Sequence, residues 1–197
     1  MGKIFCVMGK SSSGKDTIYK RLKEIYKDFL SITMYTTRPI RSGETEGVEY
    51  HFVSTERFDE MNKNKKVIEY RTYDTVHGPW TYFTADDGQI DFDKNNYLVI
   101  GTLASYESVK AYYGENKVVG IYIEVDDGIR LQRALNREMQ QENPKYEEMC
   151  RRFLADQEDF SEENLKHCKI KTRFENKDID KCVENIKTLI DRKCILL

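Results

Sequence analysis

The sequence predicts an α/β fold in which a parallel β-sheet is flanked by helices. Three observations predict it. An apolar run at 3–8 leads through a glycine-punctuated turn into a helical pattern. Two later β-branched runs, at 97–101 and 118–125, are each followed by a helical pattern, and a run at 169–174 followed by apolar spacing over 179–190 repeats the unit near the end of the chain. Short apolar runs without polar alternation suit strands covered on both faces, as parallel strands are.

The first unit carries the strongest motif. Its turn reads MGKSSSGKDT over 8–17, with Gly9, Gly14 and Lys15 at the spacing G-x-x-x-x-G-K. In that spacing backbone N–H groups wrap phosphates and the lysine neutralises the outermost ones. Gly9, Ser11, Ser12, Ser13, Gly14, Lys15, Asp16 and Thr17 are therefore candidate phosphate-binding residues. The helix expected over 17–29, with Ile18, Leu22, Ile25 and Phe29 on one face, supplies the strand, turn and helix context that the motif requires. Asp16 stands where such loops carry a hydroxyl that holds Mg²⁺. A carboxylate is an acceptable hard oxygen ligand for that ion. It equally suits the first turn of a helix, where the dipole favours an acid.

Residues 36–84 break the rhythm, with strand-like segments at 48–53 and 67–73 around a helical stretch at 56–65; they are expected to form a mixed insertion. Residues 126–160 are charged and helical, interrupted at Asn143-Pro144, where the proline is expected to begin a second helix. A helical hairpin of this kind can close over a site. The expected division is a core of 1–35, 85–125 and 161–197, an insertion at 36–84 and a lid at 126–160.

Bulk properties narrow the function classes. A chain of 197 residues fits one core with inserted subdomains. A net charge of −2, with 34% charged residues of both signs, leaves no global basic footprint for nucleic acid. The first apolar run is too short for a signal-peptide core, and no stretch approaches a membrane span, so a cytoplasmic protein without membrane partners is expected. The five cysteines form no C-x-x-C pair and are read as reduced thiols, with no support for zinc. Cys194-Ile195-Leu196-Leu197 matches a C-a-a-X prenylation pattern formally but is read as an apolar helix terminus. His51, His77 and His167 suit structural or surface roles, and none is placed as a general base.

The segment Thr36-Thr37-Arg38-Pro39-Ile40-Arg41-Ser42-Gly43-Glu44, followed by Gly47, Tyr50, His51 and Phe52, pairs two arginines with hydroxyls and a glycine turn. Guanidinium forks suit a dianionic phosphate. On spacing alone, a solvated loop bridged to Glu44 or Glu46 fits as well.

Taken whole, TTRPIRSGETEGVEYHF resembles the acceptor segment of guanylate kinases, with its T-T-R-x-x-R-x-G-E-x-x-G-x-x-Y-x-F pattern. The resemblance runs over nearly the whole chain, through the phosphate loop, a V-I-E-Y segment at 67–70, the arginine-bearing lid and the last strand and helix. It implies a P-loop kinase core with a mixed α/β acceptor-binding insertion and a helical lid. It also implies transfer of the γ-phosphoryl group of ATP to GMP with Mg²⁺, by a monomer or homodimer. Carried over residue by residue, it makes Arg38, Arg41, Tyr50 and Tyr82 ligands of the acceptor phosphate. Glu69 would take the guanine N1 and N2 hydrogens, with Thr84 a further base contact; spacing alone slightly favours an exposed or strand-paired glutamate. Arg133, Arg137 and Arg152, with Arg151 a rival, would bind the ATP phosphates and the group in flight, and Asn176 the adenine. Lys15, Arg41, Arg137 and Arg152 form the implied catalytic set, and Asp16 the implied metal ligand.

The pattern fails in places. Asp16 replaces the metal-binding hydroxyl, and the family's D-x-D strand end is here Val99-Ile100-Gly101-Thr102-Leu103, without acids at Gly101 and Leu103. Met34 stands for a serine that helps read guanine O6, and Pro79 for an asparagine in a stretch one residue longer. Gaining an acid in the loop while losing one at the strand end suggests relocated charge. Two other readings compete: a sister kinase acting on another phosphorylated acceptor such as a ribose bisphosphate, and a non-catalytic binding module of the same fold.

Overall fold

The computed structural model describes residues 1–75 and 78–195. The reading of His77 and the last two residues of the C-terminal motif lie outside the described residues. Sixteen elements follow in chain order: β1 (Ile4–Met8), α1 (Lys15–Ile25), β2 (Leu30–Ser31), β3 (Tyr35–Thr36), β4 (His51–Phe52), α2 (Thr55–Lys63), β5 (Val67–Thr75), β6 (Gly78–Ala85), β7 (Tyr97–Ile100), α3 (Leu103–Tyr113), β8 (Val118–Glu124), α4 (Asp127–Met139), α5 (Tyr146–Asp159), α6 (Glu162–His167), β9 (Arg173–Glu175) and α7 (Ile179–Ile195).

Strands β2-β7-β1-β8-β9 form a five-stranded sheet in that order, every pair parallel. Its central strand shows why the apolar run lacks alternation. Phe5 and Val7 point to the face covered by α1 and α7, packing with Ile18, Leu22, Ile186 and Ile190. Ile4, Cys6 and Met8 point to the other face, against Tyr106 of α3, Phe160 and Leu165. Two-sided burial at about 1.5–3 kcal/mol per large apolar side chain fixes this strand at the centre.

A second, mixed sheet, β4-β3-β6-β5, is built within residues 35–85. It has its own small core of Phe58, Met61, Phe83 and Ala85. α2 begins at an N-cap, Ser54, whose hydroxyl accepts the Arg57 N–H.

Several boundaries differ from expectation. The strand expected over 169–174 shrinks to Arg173–Glu175, because the C-terminal turn of α6 occupies what precedes it: Lys169 is left-handed at φ 58, and the Ile170 N–H donates to the Leu165 carbonyl. Of the strand expected over 48–53, only His51–Phe52 forms a strand, with Tyr50 in an isolated bridge to Glu46, since a turn from Thr45 to Val48 takes up the preceding backbone. The second lid helix starts at Tyr146, two residues past Pro144. All five cysteines are free. Among the described residues no helix is long and apolar enough to cross a membrane.

Candidate active site

The phosphate-loop motif lies between β1 and α1, at the carboxyl edge of the parallel sheet, where open α/β sheets bind ligands. Gly9 is demanded by contact: a Cβ there would stand 2.8 Å from the Ile123 carbonyl oxygen and 2.7 Å from Ser13 Oγ. Gly14 is demanded by conformation, at φ 86, and by contact, since a Cβ would meet Asn176 Nδ2 at 2.5 Å. Asn176, buried just past β9, donates Nδ2–H to the Ser13 carbonyl at 2.8 Å, while its backbone N–H donates to the Glu124 carbonyl. Thus the ends of β8 and β9 buttress the loop. The hydroxyls of Ser12 and Ser13 are buried without a hydrogen-bond partner among the described residues. Such groups cost free energy unless a ligand satisfies them.

Two clefts flank the loop. One, of about 550 Å³, is lined by Ser12, Gly14, Asp16, Thr17, Arg133, Arg137 and Asn176. Asp16 is exposed, with its carboxylate 3.6 Å from Lys15 Nζ; α1 is capped by Gly14 with no side-chain bond. Among the described residues no three His, Cys, Asp or Glu side chains form a metal cluster. A single exposed carboxylate fits Mg²⁺ nonetheless, because that ion is held by one or two carboxylates with substrate phosphates and water rather than by a protein cage.

The other cleft, of about 380 Å³, is lined by Lys15, Met34, Tyr50, Glu69, Tyr82 and residues of β5 and β7's end, including Arg71, Gly101 and Thr102. Alternation along β5 turns Glu69, Arg71 and Tyr73 to this side, opposite Thr84, Tyr82 and Trp80 of β6. Buried Thr84 donates its hydroxyl to Glu69 Oε1 at 3.0 Å, leaving the other carboxylate oxygen without a partner among the described residues. Met34 presents a thioether at the deep end, beside Ile32 and Thr84. Beneath Gly101 lies Cys6, fully buried; burial, and then the nearby Glu69 charge, push its thiol up to about 12, so it stays protonated. A Cβ at Gly101 would meet Cys6 Sγ at 2.7 Å.

The arginine segment forms the outer wall. Arg38 is 3% exposed, with its fork on Glu44 at 2.9 and 2.7 Å and its guanidinium carbon 5.6 Å from the Tyr50 ring centroid. The Tyr82 hydroxyl also reaches it. The Glu44 pairing foreseen for a solvated loop is present, but around a buried guanidinium. Hydrogen bonds from Arg38 and from the Arg41 backbone N–H hold the Glu44 carboxyl down to about 2. Arg41 is exposed, over the Trp80 ring at 5.8 Å. His51 pairs with Glu46, and His167 with Glu107 on the surface.

The lid arginines divide. Arg133 and Arg137 line the first cleft, and Arg133 donates to the Asn176 carbonyl. Arg152 joins neither cleft: it and Arg151 bind Glu148 at 3.0 and 2.7 Å, both well exposed. An acid one turn earlier on the same helix captures them.

Two arginines that sequence reasoning passed over matter here. Arg71 lines the second cleft. Arg130, 1% exposed, ties the lid to the loop: Nη1 donates to the Ser11 carbonyl at 2.9 Å and reaches Asp156 at 3.4 Å, Nε and Nη2 donate to Asp127, and the fork lies over Phe153. Asp156 accepts the Ser11 N–H at 2.7 Å, and Gln157 accepts from Lys10. Burial raises the Asp127 carboxyl, but bonds from Gln157 and Arg130 outweigh it, and the net direction is down. For Arg71 the available signal was its two-residue step from Glu69; for Arg130, the four-residue spacing of Arg130, Ala134 and Glu138 on one face.

Comparison with known proteins adds to this geometry. The family model described as guanylate kinase matches residues 1–193. The guanylate kinase of Neisseria meningitidis serogroup A is 39% identical over 122 residues, 62% of this chain and 58% of that protein. That of Syntrophotalea carbinolica is 42% identical over 77 residues, 39% of this chain and 35% of that protein. The matched stretches thus span less than two thirds of these relatives' lengths. The crystal structure of guanylate kinase from Anaplasma phagocytophilum shares the fold at 22% identity, with a TM-score of 0.61 over 98% of this chain and 87% of that one.

Proposed function

Because the chain belongs to the guanylate kinase family, we propose that it transfers the γ-phosphoryl group of ATP to GMP, giving ADP and GDP. The observation that carries this is the position of one turn between two clefts: Lys15 faces the cleft of Glu69, Tyr50 and Tyr82, while Gly14 and Asp16 wall the cleft of Arg133, Arg137 and Asn176. A lysine at that junction suits a group that passes from one side to the other.

In this reading ATP lies along the first cleft, its phosphates on the N–H groups of the 9–15 loop and the hydroxyls of Ser12 and Ser13. Asn176 flanks its adenine end, and Arg133 reaches its phosphates. Asp16 would hold Mg²⁺, which supplies charge neutralisation between donor phosphates when bound. GMP enters the second cleft base first. Glu69 accepts from guanine N1 and N2, an edge adenine does not offer, and Thr84 orients that carboxylate. Arg38, Arg41, Tyr50 and Tyr82 hold the acceptor phosphate in line with Lys15. The protein then contributes positioning and charge stabilisation, needing no general base. Arg137 and Arg152 act from the lid, and for Arg152 that requires exchanging Glu148 for phosphate. The functional units are a core of 1–35, 85–125 and 161–197, an acceptor insertion of 36–84 and a lid of 126–160. The setting is cytoplasmic, with a monomer or homodimer that uses neither nucleic acid nor membrane.

A coupled ADP-release assay across GMP, dGMP, AMP, UMP and a ribose bisphosphate tests the reading. Turnover that depends on GMP is expected. Turnover only with another acceptor, or with none, overturns it.

A further inference from the structure

Among the described residues, Arg41, Arg71, Arg133, Arg137 and Arg192 form no ion pair with a carboxylate. Three of these five, Arg71, Arg133 and Arg137, line the two clefts. Arg71 is the one without a role so far. Its partner among the described residues is neutral: Nη2 donates to the hydroxyl of Thr102, the residue that caps α3.

Its level along the cleft is fixed by strand register. Glu69 pairs across the ribbon with Thr84, Arg71 with Tyr82, and Tyr73 with Trp80. Each step of two residues advances about 7 Å, and directly opposed side chains on one face lie within reach of each other. Arg71 therefore stands one step beyond the carboxylate that faces the base, beside Tyr82. At that level Tyr82 packs edge to face on Tyr50 at 5.5 Å, and both tyrosines touch Arg38. Lys15 borders the same space. The strand end opposite carries Gly101, Thr102 and Leu103 and so offers no carboxylate to neutralise a guanidinium.

Resting on the phosphotransfer reading above, we propose that Arg71 is a third guanidinium ligand of the acceptor phosphate, leaving Thr102 for the phosphate oxygens when the nucleoside monophosphate is seated. The exchange is favourable because phosphate oxygens carry negative charge and can take two parallel bonds from the guanidinium fork, whereas the Thr102 hydroxyl is a single neutral acceptor. Arg71 thereby adds a third positive charge on the insertion side of the cleft, beside Arg38 and Arg41, with Lys15 facing it from the core.

The test is calorimetric binding of GMP to the full chain, wild type, Arg71→Gln and Arg71→Lys, at low and high ionic strength. Glutamine keeps a donor for Thr102 and removes the charge. The expected result is a Kd about tenfold or more higher for Arg71→Gln, a smaller rise for Arg71→Lys, and a flatter dependence on salt for the glutamine variant. An Arg71→Gln variant that binds within about twofold of wild type overturns the proposal. So does weaker binding with an unchanged salt dependence, which would mark Arg71 as a tether between insertion and core. Wild type that fails to bind GMP overturns the acceptor reading itself, and the role of Arg71 with it.

Discussion

Arg130→Met asks how firmly the lid is anchored to the phosphate loop. Arg130 is 1% exposed, and its removal strips four hydrogen bonds and a ring contact from the loop and its neighbours. Breaking a buried ion pair from one side costs about 3–5 kcal/mol, because the abandoned charge stays desolvated. Here the two acids differ. The Asp127 side chain is 44% exposed and rehydrates, whereas that of Asp156, at 15%, does so poorly. The lower end of the range, about 3 kcal/mol, follows. For a chain of this length each kcal/mol moves Tm by about 2–4 °C, so a fall of roughly 6–12 °C is expected. Replacing both charges, Arg130→Met with Asp156→Leu, removes the stranded carboxylate and should recover much of the loss. It still leaves the Ser11 N–H and carbonyl without their partners, at about 1 kcal/mol each. Thermal and urea denaturation of the two variants decide the matter. An Arg130→Met variant that loses less than about 3 °C refutes the reasoning.

Other predictions follow from the same geometry. Gly9→Ala forces a Cβ to within 2.8 Å of the Ile123 backbone oxygen, which cannot turn away; a loss of about 1–3 kcal/mol with weakened ATP binding is expected, and calorimetry showing wild-type stability would contradict it. Glu44 titrates near 2 against an ordinary 4.5. A carboxyl depressed in the folded state contributes stability that is complete above its unfolded value and lost as pH falls through its folded one. The Arg38–Glu44 pair should therefore survive from neutrality to below pH 4 and open only toward pH 2; a carbon-13 carboxyl titration centred near 4.5 would sink that claim. Glu69→Gln should reduce the preference for GMP over AMP by about 5- to 150-fold, the value of about 1–3 kcal/mol for one unpaired polar contact, in competition assays. Asp16→Ser should weaken Mg²⁺ dependence and turnover together; normal turnover across a Mg²⁺ titration would show that the carboxylate does not serve the metal.

What could be read from the sequence follows the periodicity of each element. β1, the loop and α1 are legible because a two-sided apolar run, two glycines and a helical stripe lie side by side in the chain. β6 is not, because Gly78-Pro79 opens it with turn chemistry and both its faces are covered, Phe83 by the small core and Tyr82 by the cleft, so no alternation shows. β2 and β3, two residues each, are too short to carry a period. In the site, the loop and the arginine segment stand out through fixed spacing. Arg71 belongs to no such motif: its two-residue step from Glu69 sets it on the same strand face, and register then places it beside Tyr82. Arg130 hides differently: with Glu138 it puts charge on the buried stripe of α4, so the lid reads as solvated on every side.

The contrast between the two kinds of lid arginine bears on which parts of the lid can move. Arg151 and Arg152 hold Glu148 through side chains that are 66% and 60% exposed. Surface pairs of this kind are worth about 0–1 kcal/mol. A triphosphate offers charge-assisted bonds of about 1.5–3 kcal/mol each, so exchanging Glu148 for phosphate runs downhill. Arg130 opposes motion at the other end of the same hairpin, where its partners are loop backbone and a poorly hydrated acid. A hairpin fixed at the phosphate loop and loosely tethered along α5 would swing its arginines without displacing the loop residues proposed to hold the donor. In that arrangement Glu148→Gln should lower the ATP concentration needed for half-maximal rate, since the arginines no longer leave a partner to reach it. A higher requirement would mean that the acid presents the arginines to the phosphates instead of withholding them.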